Sequence, residues 1–211
     1  MKTVEWYFDF LSPFSYLQAC RFDEFPDDAE IVYKPILFAG LLGHWETKGP
    51  AQTPPKRLQT LRHCRWLANR MGVPLNLPHA FPYSPMRALR LAASLGPDRA
   101  TIDTIFRCMW VDDLLPHEDE GWQGMCAALG IDDGDARIES QEAKDAIIAN
   151  GQRAIENGVF GVPTMIVDET LFWGVDETDF VLDVLADPSV LDDAELQRID
   201  TIPSGVKPPP A

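Results

Sequence analysis

The stretch VEWYFDF occupies residues 4–10 and leads through Leu11 into SPFS, residues 12–15. Its aromatic and β-branched residues are typical of a buried strand. Serine is a favoured helix N-cap, proline is favoured at the first helical position, and apolar residues recur at helical spacing as far as Phe25. The sequence therefore predicts a strand over residues 4–10, a helix over residues 14–25, and a turn between them that carries Ser12.

Ser12 is predicted to lie at a helix N-terminus, where free N–H groups and the positive end of the helix dipole stabilise an anion such as a thiolate. The alternative is that Ser12 only caps the helix. Ser15 lies one turn further along, and we interpret it as a packed or solvated helix residue rather than a reactive one. The turn alone leaves both interpretations of Ser12 open.

The remaining pattern predicts an α/β protein with a helical middle. Residues 30–37 (EIVYKPIL) read as a second strand, so the chain begins β-α-β. No strand pattern follows until after residue 150, and helices are predicted over residues 56–71, 86–95, 99–112, 122–129 and 140–157. Strands follow at residues 164–167 and 170–173, joined by a tight turn, and a last helix covers residues 177–186.

This order is the thioredoxin topology with an insertion in its middle. We expect residues 1–40 and 140–200 to form a discontinuous thioredoxin-like domain. Residues 41–139 would form an all-helical insertion subdomain. Residues 201–211, which are rich in proline, would form a flexible tail.

The composition excludes several classes of function. A net charge of -15 and a pI near 4.5 would repel nucleic acid, and no dense run of Lys and Arg offsets that charge. The N-terminus lacks the basic region and apolar core of a secretory signal, and no apolar run reaches membrane-spanning length. We therefore expect a cytoplasmic protein without a membrane or nucleic-acid partner.

The cysteines predict neither a disulfide framework nor a metal site. Cys20, Cys64, Cys108 and Cys126 are far apart and form no C-x-x-C motif. The four histidines have no metal-ligand spacing with them. In a reducing compartment, buried free thiols are the expected state of such cysteines.

Three segments together resemble the 2-hydroxychromene-2-carboxylate isomerase family, a DsbA-like thioredoxin-fold family related to kappa-class glutathione transferase. They are FDFLSPFSYL, GVFGVPT and LFWGVD, at residues 8–17, 158–164 and 171–176. The resemblance covers nearly the whole chain, and serines occupy both positions of the superfamily's redox cysteines. It implies a thioredoxin-like fold with a large all-helical insertion (DsbA-like topology), glutathione as cofactor and a homodimer.

The resemblance also assigns roles at the thiol site. Ser12 matches the catalytic serine whose hydroxyl hydrogen-bonds the glutathione sulfur. Val162 precedes Pro163, which matches the proline that is cis in the superfamily, and the Val162 backbone would pair with the cysteinyl part of glutathione. Lys56 matches a lysine that reaches the glycyl carboxylate.

The γ-glutamyl end of glutathione would be held by a segment at a helix start, formed by Gly174, Val175 and Asp176. Asp176 would bind the amino group, a role that is compatible with its also capping the last helix. The family often has arginine at the next position, where this chain has Glu177. The polar ends of glutathione are therefore where this chain departs from the family.

The second-substrate pocket departs from the family too. Thr47 replaces a family asparagine, another family asparagine falls at about Ser84, and a substrate-contacting lysine is lost near Gly43. The polar and aromatic candidates for this pocket are His44, Trp45, Thr47, Lys48, Phe81, Tyr83 and Trp110. For each aromatic residue, core or loop packing is the alternative interpretation.

The resemblance implies a glutathione-dependent isomerase acting on a small aromatic substrate. A bound thiolate would add to the conjugated side chain of a ring-cleavage product, allow rotation, and leave again. The alternatives are a kappa-type glutathione transferase or peroxidase, and a redox-inactive thioredoxin-fold binding module or chaperone. A dithiol–disulfide oxidoreductase is disfavoured because Ser12 and Ser15 cannot form the disulfide.

Overall fold

A mixed four-stranded sheet forms the centre of the thioredoxin-like part in the computed structural model, which describes residues 2–206. The strand order is β2-β1-β3-β4. β1 runs parallel to β2 with Trp6 opposite Tyr33, and antiparallel to β3 with Trp6 opposite Met165. The four strands are β1 Lys2–Phe8, β2 Ala29–Pro35, β3 Thr164–Val167 and β4 Thr170–Trp173.

Helices fill the middle of the chain and flank the sheet. The first eight are α1 Pro13–Ala19, α2 Phe38–His44, α3 Pro54–Met71, α4 Met86–Leu95, α5 Arg99–Trp110, α6 Asp119–Ala128, α7 Gly134–Glu139 and α8 Gln141–Glu156. The last two are α9 Thr178–Ala186 and α10 Ala194–Arg198. Within residues 2–206, none of the helices combines the length and apolar character needed to cross a membrane.

Both faces of β1 are buried from Trp6 to Phe8, which explains the unbroken aromatic run at these positions. On one face Trp6 stacks on Phe8 with ring centroids 4.1 Å apart, and both rings pack against Phe106 of α5. On the other face Tyr7 joins a separate cluster with Ile36 and residues next to α8. The insertion helix α5 therefore packs directly on the sheet and fixes the position of the turn that follows β1.

The α/β class with its helical insertion is confirmed, and the bounds of several elements differ from the sequence prediction. β1 ends at Phe8 instead of residue 10, because the next residue, Asp9, turns inward. The predicted helix over residues 14–25 stops at Ala19 and is followed by a short 3-10 turn at Phe22–Glu24. That break allows Phe22 to pack edge-on against Trp6, with ring centroids 4.7 Å apart.

Helix α2 was not predicted from the sequence. Its first residue, Phe38, has its N–H bonded to the buried carboxylate of Asp9 at 2.9 Å, a contact across 29 residues that no local pattern reveals. The chain beyond α9 also contains more helix than predicted, namely α10 and short 3-10 turns as far as Thr201. The flexible tail predicted over residues 201–211 lies partly outside the described residues, and the proposed domain bounds stay predictions.

Candidate active site

The turn between β1 and α1 presents Ser12 as a helix N-cap. Ser12 has extended backbone angles (φ -85°, ψ 115°), and its Oγ accepts a hydrogen bond from the N–H of Ser15 at 3.2 Å. Pro13 occupies the first helical position. A hydroxyl has one hydrogen and two lone pairs, so the capping bond leaves its hydrogen available to an outside acceptor. Capping and hydrogen bonding to a ligand sulfur are therefore compatible roles.

A buried carboxyl group on the core side of this turn holds it in place. Asp9 is 1% exposed, and its two oxygens accept hydrogen bonds from the N–H groups of Leu11 and Phe38, each at 2.9 Å. Burial raises the pKa of Asp9 to about 6, while the two backbone hydrogen bonds act in the opposite direction. Asp9 thereby ties the Ser12 turn to the start of α2.

The loop before β3 carries the peptide bond between Val162 and Pro163, which is cis, like the matching proline of the superfamily. Among the described residues, neither the N–H nor the C=O of Val162 has a hydrogen-bond partner. The loop itself is held by Thr164, whose hydroxyl donates to the carbonyl of Gly161 at 2.9 Å. Two free backbone groups on a fixed loop provide an edge that can pair with an extended peptide.

The segment after β4 lies next to this loop. The N–H of Gly174 donates to the carbonyl of Pro163 at 2.9 Å. Gly174 has a φ of +106°, and a Cβ at this position would lie 2.4 Å from Oδ1 of Asp176. Only glycine allows the Asp176 carboxylate to lie this close to the backbone in that conformation.

Gln18 of α1 anchors the same segment from the core, and sequence reasoning missed it. Its amide group is fully buried, donates to the carbonyl of Gly174 at 3.0 Å and to the Thr178 hydroxyl at 3.1 Å, and accepts from Trp6 at 2.7 Å. The sequence does contain a signal for this role, because Gln18 is a polar residue on the mostly apolar, buried face of α1. Gln18 links α1, β1 and the start of α9 into one rigid unit.

Two cavities meet at the Ser12 turn. The first, which we call the apolar cavity, has a volume of about 490 Å³ and contains Ser12 in its wall. Its other main walls are Phe14, Phe38, Phe81, Phe160, Val162 and Trp173, with Thr47 and Lys48 among its few polar residues. The second, which we call the polar groove, has a volume of about 710 Å³ and runs along α3 to residues 174–179. Phe14, Val162 and Trp173 line both.

Trp173 forms part of the wall between the cavities. Its indole is half exposed and lies edge-on to the ring of Phe160, with centroids 5.0 Å apart. A Cβ built on Gly161 would lie 2.3 Å from the indole nitrogen of Trp173. The missing side chain at Gly161 therefore lets the indole lie directly against the loop that carries Val162.

Most residues assigned to the thiol site line one of these cavities. The structure places Ser12 in the apolar cavity and Val162 in both. Pro163, Gly174, Val175 and Asp176 line the polar groove. Lys56 is exposed in the first turn of α3 and lines neither cavity.

The candidates for the second-substrate pocket separate into two groups. Thr47, Lys48 and Phe81 line the apolar cavity. The remaining candidates do not line it. His44 and Trp45 are exposed at the end of α2, and the indole N–H of Trp45 donates to the carbonyl of Val159 at 2.9 Å.

Tyr83 and Trp110 are core residues, which is the packing interpretation that the sequence left open for each of them. Trp110 is fully buried and donates its indole N–H to the carbonyl of Phe10 at 2.9 Å, whereas Tyr83 stacks on His117 with centroids 5.7 Å apart. The Tyr83 hydroxyl is buried without a hydrogen-bond partner among the described residues. Sequence reasoning missed Phe14, Phe160 and Trp173 as cavity residues, although all three lie inside the segments that carry the resemblance.

The cysteines stay away from both cavities. All four are free, and burial raises the pKa of Cys64 to about 12 and that of Cys108 to about 11. Burial also raises the pKa values of Cys20 and Cys126. Across residues 2–206, no group of three or more His, Cys, Asp and Glu side chains is arranged to hold a metal ion.

Comparisons with known proteins agree with this geometry. A DsbA-like thioredoxin domain matches residues 3–186. The 2-hydroxychromene-2-carboxylate isomerase of Sphingobium xenophagum is 31% identical over 199 residues, which cover 88% of this chain and 99% of that protein. The chain belongs to this isomerase family. A solved structure of a 2-hydroxychromene-2-carboxylate isomerase aligns with a TM-score of 0.75 at 26% identity, covering 92% of this chain and 98% of that one.

The isomerase family has kappa-class relatives, and one of them is similar to this chain as well. The glutathione S-transferase kappa 2 of Caenorhabditis elegans is 27% identical over 210 residues, covering 89% of this chain and 93% of that protein. The resemblance seen in the sequence is thus confirmed, and the protein is an enzyme of the isomerase family. Its cavities combine a free hydroxyl donor, an unpaired backbone edge and an apolar chamber, which suits the joining of a thiol to an apolar electrophile.

Proposed function

We propose that this protein is a glutathione-dependent isomerase. It catalyses cis-trans isomerisation of an aromatic ring-cleavage product such as 2-hydroxychromene-2-carboxylate. The observation that carries the proposal is the position of Ser12 in the wall of the apolar cavity, two residues from Phe14, which lines both cavities, with its hydroxyl hydrogen available and no redox cysteine in the turn. The name of the relative from Sphingobium xenophagum supports the substrate class.

The residues of the polar groove fit glutathione. The free N–H and C=O of Val162 can pair with the cysteinyl residue as one strand pairs with another. The Asp176 carboxylate, which has no ion-pair partner among the described residues, can take the γ-glutamyl ammonium group. Bound in this way, glutathione supplies a thiolate that adds reversibly to the conjugated side chain of the substrate and frees its double bond to rotate.

The chain's own contribution is to orient the reactants and to stabilise charge. The Ser12 hydroxyl donates to the ligand sulfur, which favours the thiolate over a thiol that is otherwise mostly protonated at neutral pH. The aromatic walls of the apolar cavity hold a planar substrate and exclude water. Lys48 supplies the positive charge in that cavity and can hold the substrate carboxylate.

Two measurements on the purified protein test the proposal. Calorimetric titration with reduced glutathione should show saturable binding. Incubation with a ring-cleavage product should then give an isomer of unchanged mass, detected by chromatography and mass spectrometry, only when glutathione is present. Turnover at full rate without glutathione would contradict the proposal, and binding without turnover would favour the redox-inactive binding module.

A kappa-type transferase is the second candidate, because the kappa 2 protein of Caenorhabditis elegans is a relative. The same assay separates it, since a transferase leaves glutathione covalently attached to the product. We also propose a homodimer in the cytoplasm, on the strength of the family resemblance. Light scattering at micromolar concentration checks the dimer, and a monomer would contradict it.

A further inference from the structure

The charges of the polar groove fall into a paired set and an unpaired set. Arg21 forms an ion pair with Glu24 at 2.6 Å and another with Asp179, so that its single positive charge is shared between two carboxylates and is not free for a ligand. Asp176 and Arg70 line the same groove, and among the described residues neither has an ion pair or a side-chain hydrogen bond. The groove therefore offers one carboxylate and one guanidinium, carried by different elements, to whatever binds there.

Arg70 is held in place although it has no carboxylate partner. It lies in the last turn of α3, and its guanidinium carbon is 5.2 Å from the ring centroid of Trp66, one turn earlier on the same helix. This cation–π contact restricts a long side chain and lowers the entropy lost when it binds a ligand. A planar guanidinium is also the group best suited to a carboxylate, through two parallel hydrogen bonds.

A cation and an anion that face one groove without pairing with each other complement a zwitterion. An α-amino acid head carries an ammonium and a carboxylate on the same carbon, and both groups are charged at neutral pH. In a γ-glutamyl peptide this head stands at the far end of the side chain, beyond the amide. An α-linked peptide has no carboxylate there. Val162, where the cysteinyl residue would pair, lines the same groove as Asp176 and Arg70.

We infer that Arg70 binds the α-carboxylate of the γ-glutamyl head of the thiol ligand, while Asp176 binds its ammonium group. This assignment rests on the proposed function and goes beyond it by naming the residue that distinguishes a γ-glutamyl head from an α-linked one. It supplies a cation from α3 to the groove that Asp176 of the segment after β4 also lines.

The test compares two thiols by calorimetric titration, glutathione and 4-aminobutanoyl-cysteinyl-glycine. The second lacks only the α-carboxylate. The wild-type protein should bind glutathione about tenfold more tightly, which is the effect of one charge-assisted contact at a partly exposed site. Arg70→Gln should bind both thiols with nearly equal affinity, and Arg70→Lys should recover part of the preference.

Arg62→Gln is the matched control, because Arg62 lies exposed on the same helix and lines neither cavity. It should keep the wild-type preference. Thermal unfolding of each variant checks that the fold is unchanged. If Arg70→Gln is folded and still prefers glutathione tenfold, the assignment of Arg70 is overturned while the proposed function stands. If the wild-type protein binds neither thiol, the proposed function fails and the assignment fails with it.

Discussion

The apolar cavity and the polar groove share three wall residues but differ in the charge of the side chains that line them. Among the described residues, the apolar cavity has a single charged side chain in its wall, Lys48. The polar groove has charged side chains just after α1, on α3, in the segment after β4 and at the start of α9, namely Arg21, Arg70, Asp176 and Asp179. Charged contacts fix a ligand in one orientation, whereas an apolar wall selects by shape and keeps water out. The contrast indicates that one ligand is bound by its charges and the other is enclosed beside it.

Removing the Ser12 hydroxyl should have the largest effect on turnover. It should leave glutathione binding in the polar groove nearly unchanged, which distinguishes the roles of the two regions. Ser12→Ala is expected to lower turnover by about 100- to 1000-fold, the usual effect of losing one donor to a developing or bound anion. Glutathione affinity should change by only a few fold, because the groove contacts remain. The helix should lose about 1 kcal/mol of capping energy.

Ser15→Ala is the control for that experiment. Ser15 is fully buried and its hydroxyl has no hydrogen-bond partner among the described residues, so turnover should stay near the wild-type rate. Steady-state kinetics and calorimetry measure both variants. Near-normal turnover in Ser12→Ala would leave this residue only its role as a helix cap.

The free energy of unfolding should depend on pH through Asp9. This buried carboxyl group accepts hydrogen bonds from Leu11 and Phe38, two residues in the wall of the apolar cavity. Its pKa is raised from 3.8 to about 6 in the folded protein, so the folded state binds this proton more tightly than the unfolded chain. The contribution to stability is therefore present below about pH 4 and is lost as the pH rises through about 6. The loss is on the order of 3 kcal/mol.

Denaturant unfolding of wild-type protein and Asp9→Asn at pH 4, 5, 6 and 7 measures this contribution. The wild-type free energy of unfolding minus that of Asp9→Asn should fall by on the order of 3 kcal/mol across the range. Asp28→Asn, at an exposed position, is the control for removing a carboxyl group from the surface. A flat difference for Asp9→Asn would mean that Asp9 does not titrate in this window.

Trp173 should affect both regions, because its indole lines both. Trp173→Ala is expected to raise the KM for the aromatic substrate about tenfold, with a smaller loss of glutathione affinity, through the loss of apolar contact area. Gly161→Ala should act through the same indole, since its new Cβ would lie 2.3 Å from the Trp173 ring nitrogen.

A double-mutant cycle tests that coupling. In a Trp173→Ala background the methyl group of Gly161→Ala meets no indole, so the second substitution should have little further effect on KM. Independent, additive effects of the two substitutions would show that Trp173 does not lie against the loop in solution.

The smallest expected effect belongs to Glu177, at the edge of the groove. Glu177→Arg should raise glutathione affinity about threefold, because it replaces a negative charge near the ligand carboxylate with a positive one across solvent. Asp176→Ala should lower affinity instead. Titration in 20 mM and 300 mM salt checks the cause, since a screened charge effect shrinks at the higher concentration. Unchanged affinity in Glu177→Arg would identify Glu177 as a solvent-facing helix residue.

Local sequence signals were enough to predict the sheet, the Ser12 turn and the helical insertion. The strand pattern of residues 4–10 and the adjacent Ser12-Pro13 pair each act over only a few residues. The isomer of the Val162-Pro163 bond stayed open, since a Val-Pro pair permits either one, although the resemblance matched Pro163 to a proline that is cis in the superfamily. These features required no knowledge of distant contacts.

The features that the sequence did not predict depend on residues far apart in the chain. Asp9 bonds a residue 29 positions away to begin α2, and Gln18 bonds Gly174 across 156 positions. The sequence left open whether Tyr83 and Trp110 line the pocket or pack in the core, because aromatic composition does not distinguish a wall from a core. Arg70 carries no local signal of a ligand contact, and only the fold places it in the same groove as Asp176, more than 100 residues away in the chain.

The position of the four thiols determines how the enzyme responds to oxidation of the glutathione pool. Burial raises the pKa of each of them, and none lines the cavities where a glutathione disulfide would dock. An oxidant pulse that converts glutathione to its disulfide would therefore reduce the supply of thiol ligand without modifying the site. Catalysis should stop because reduced glutathione is missing. It should resume at full rate when glutathione is reduced again, because the protein itself has not been modified.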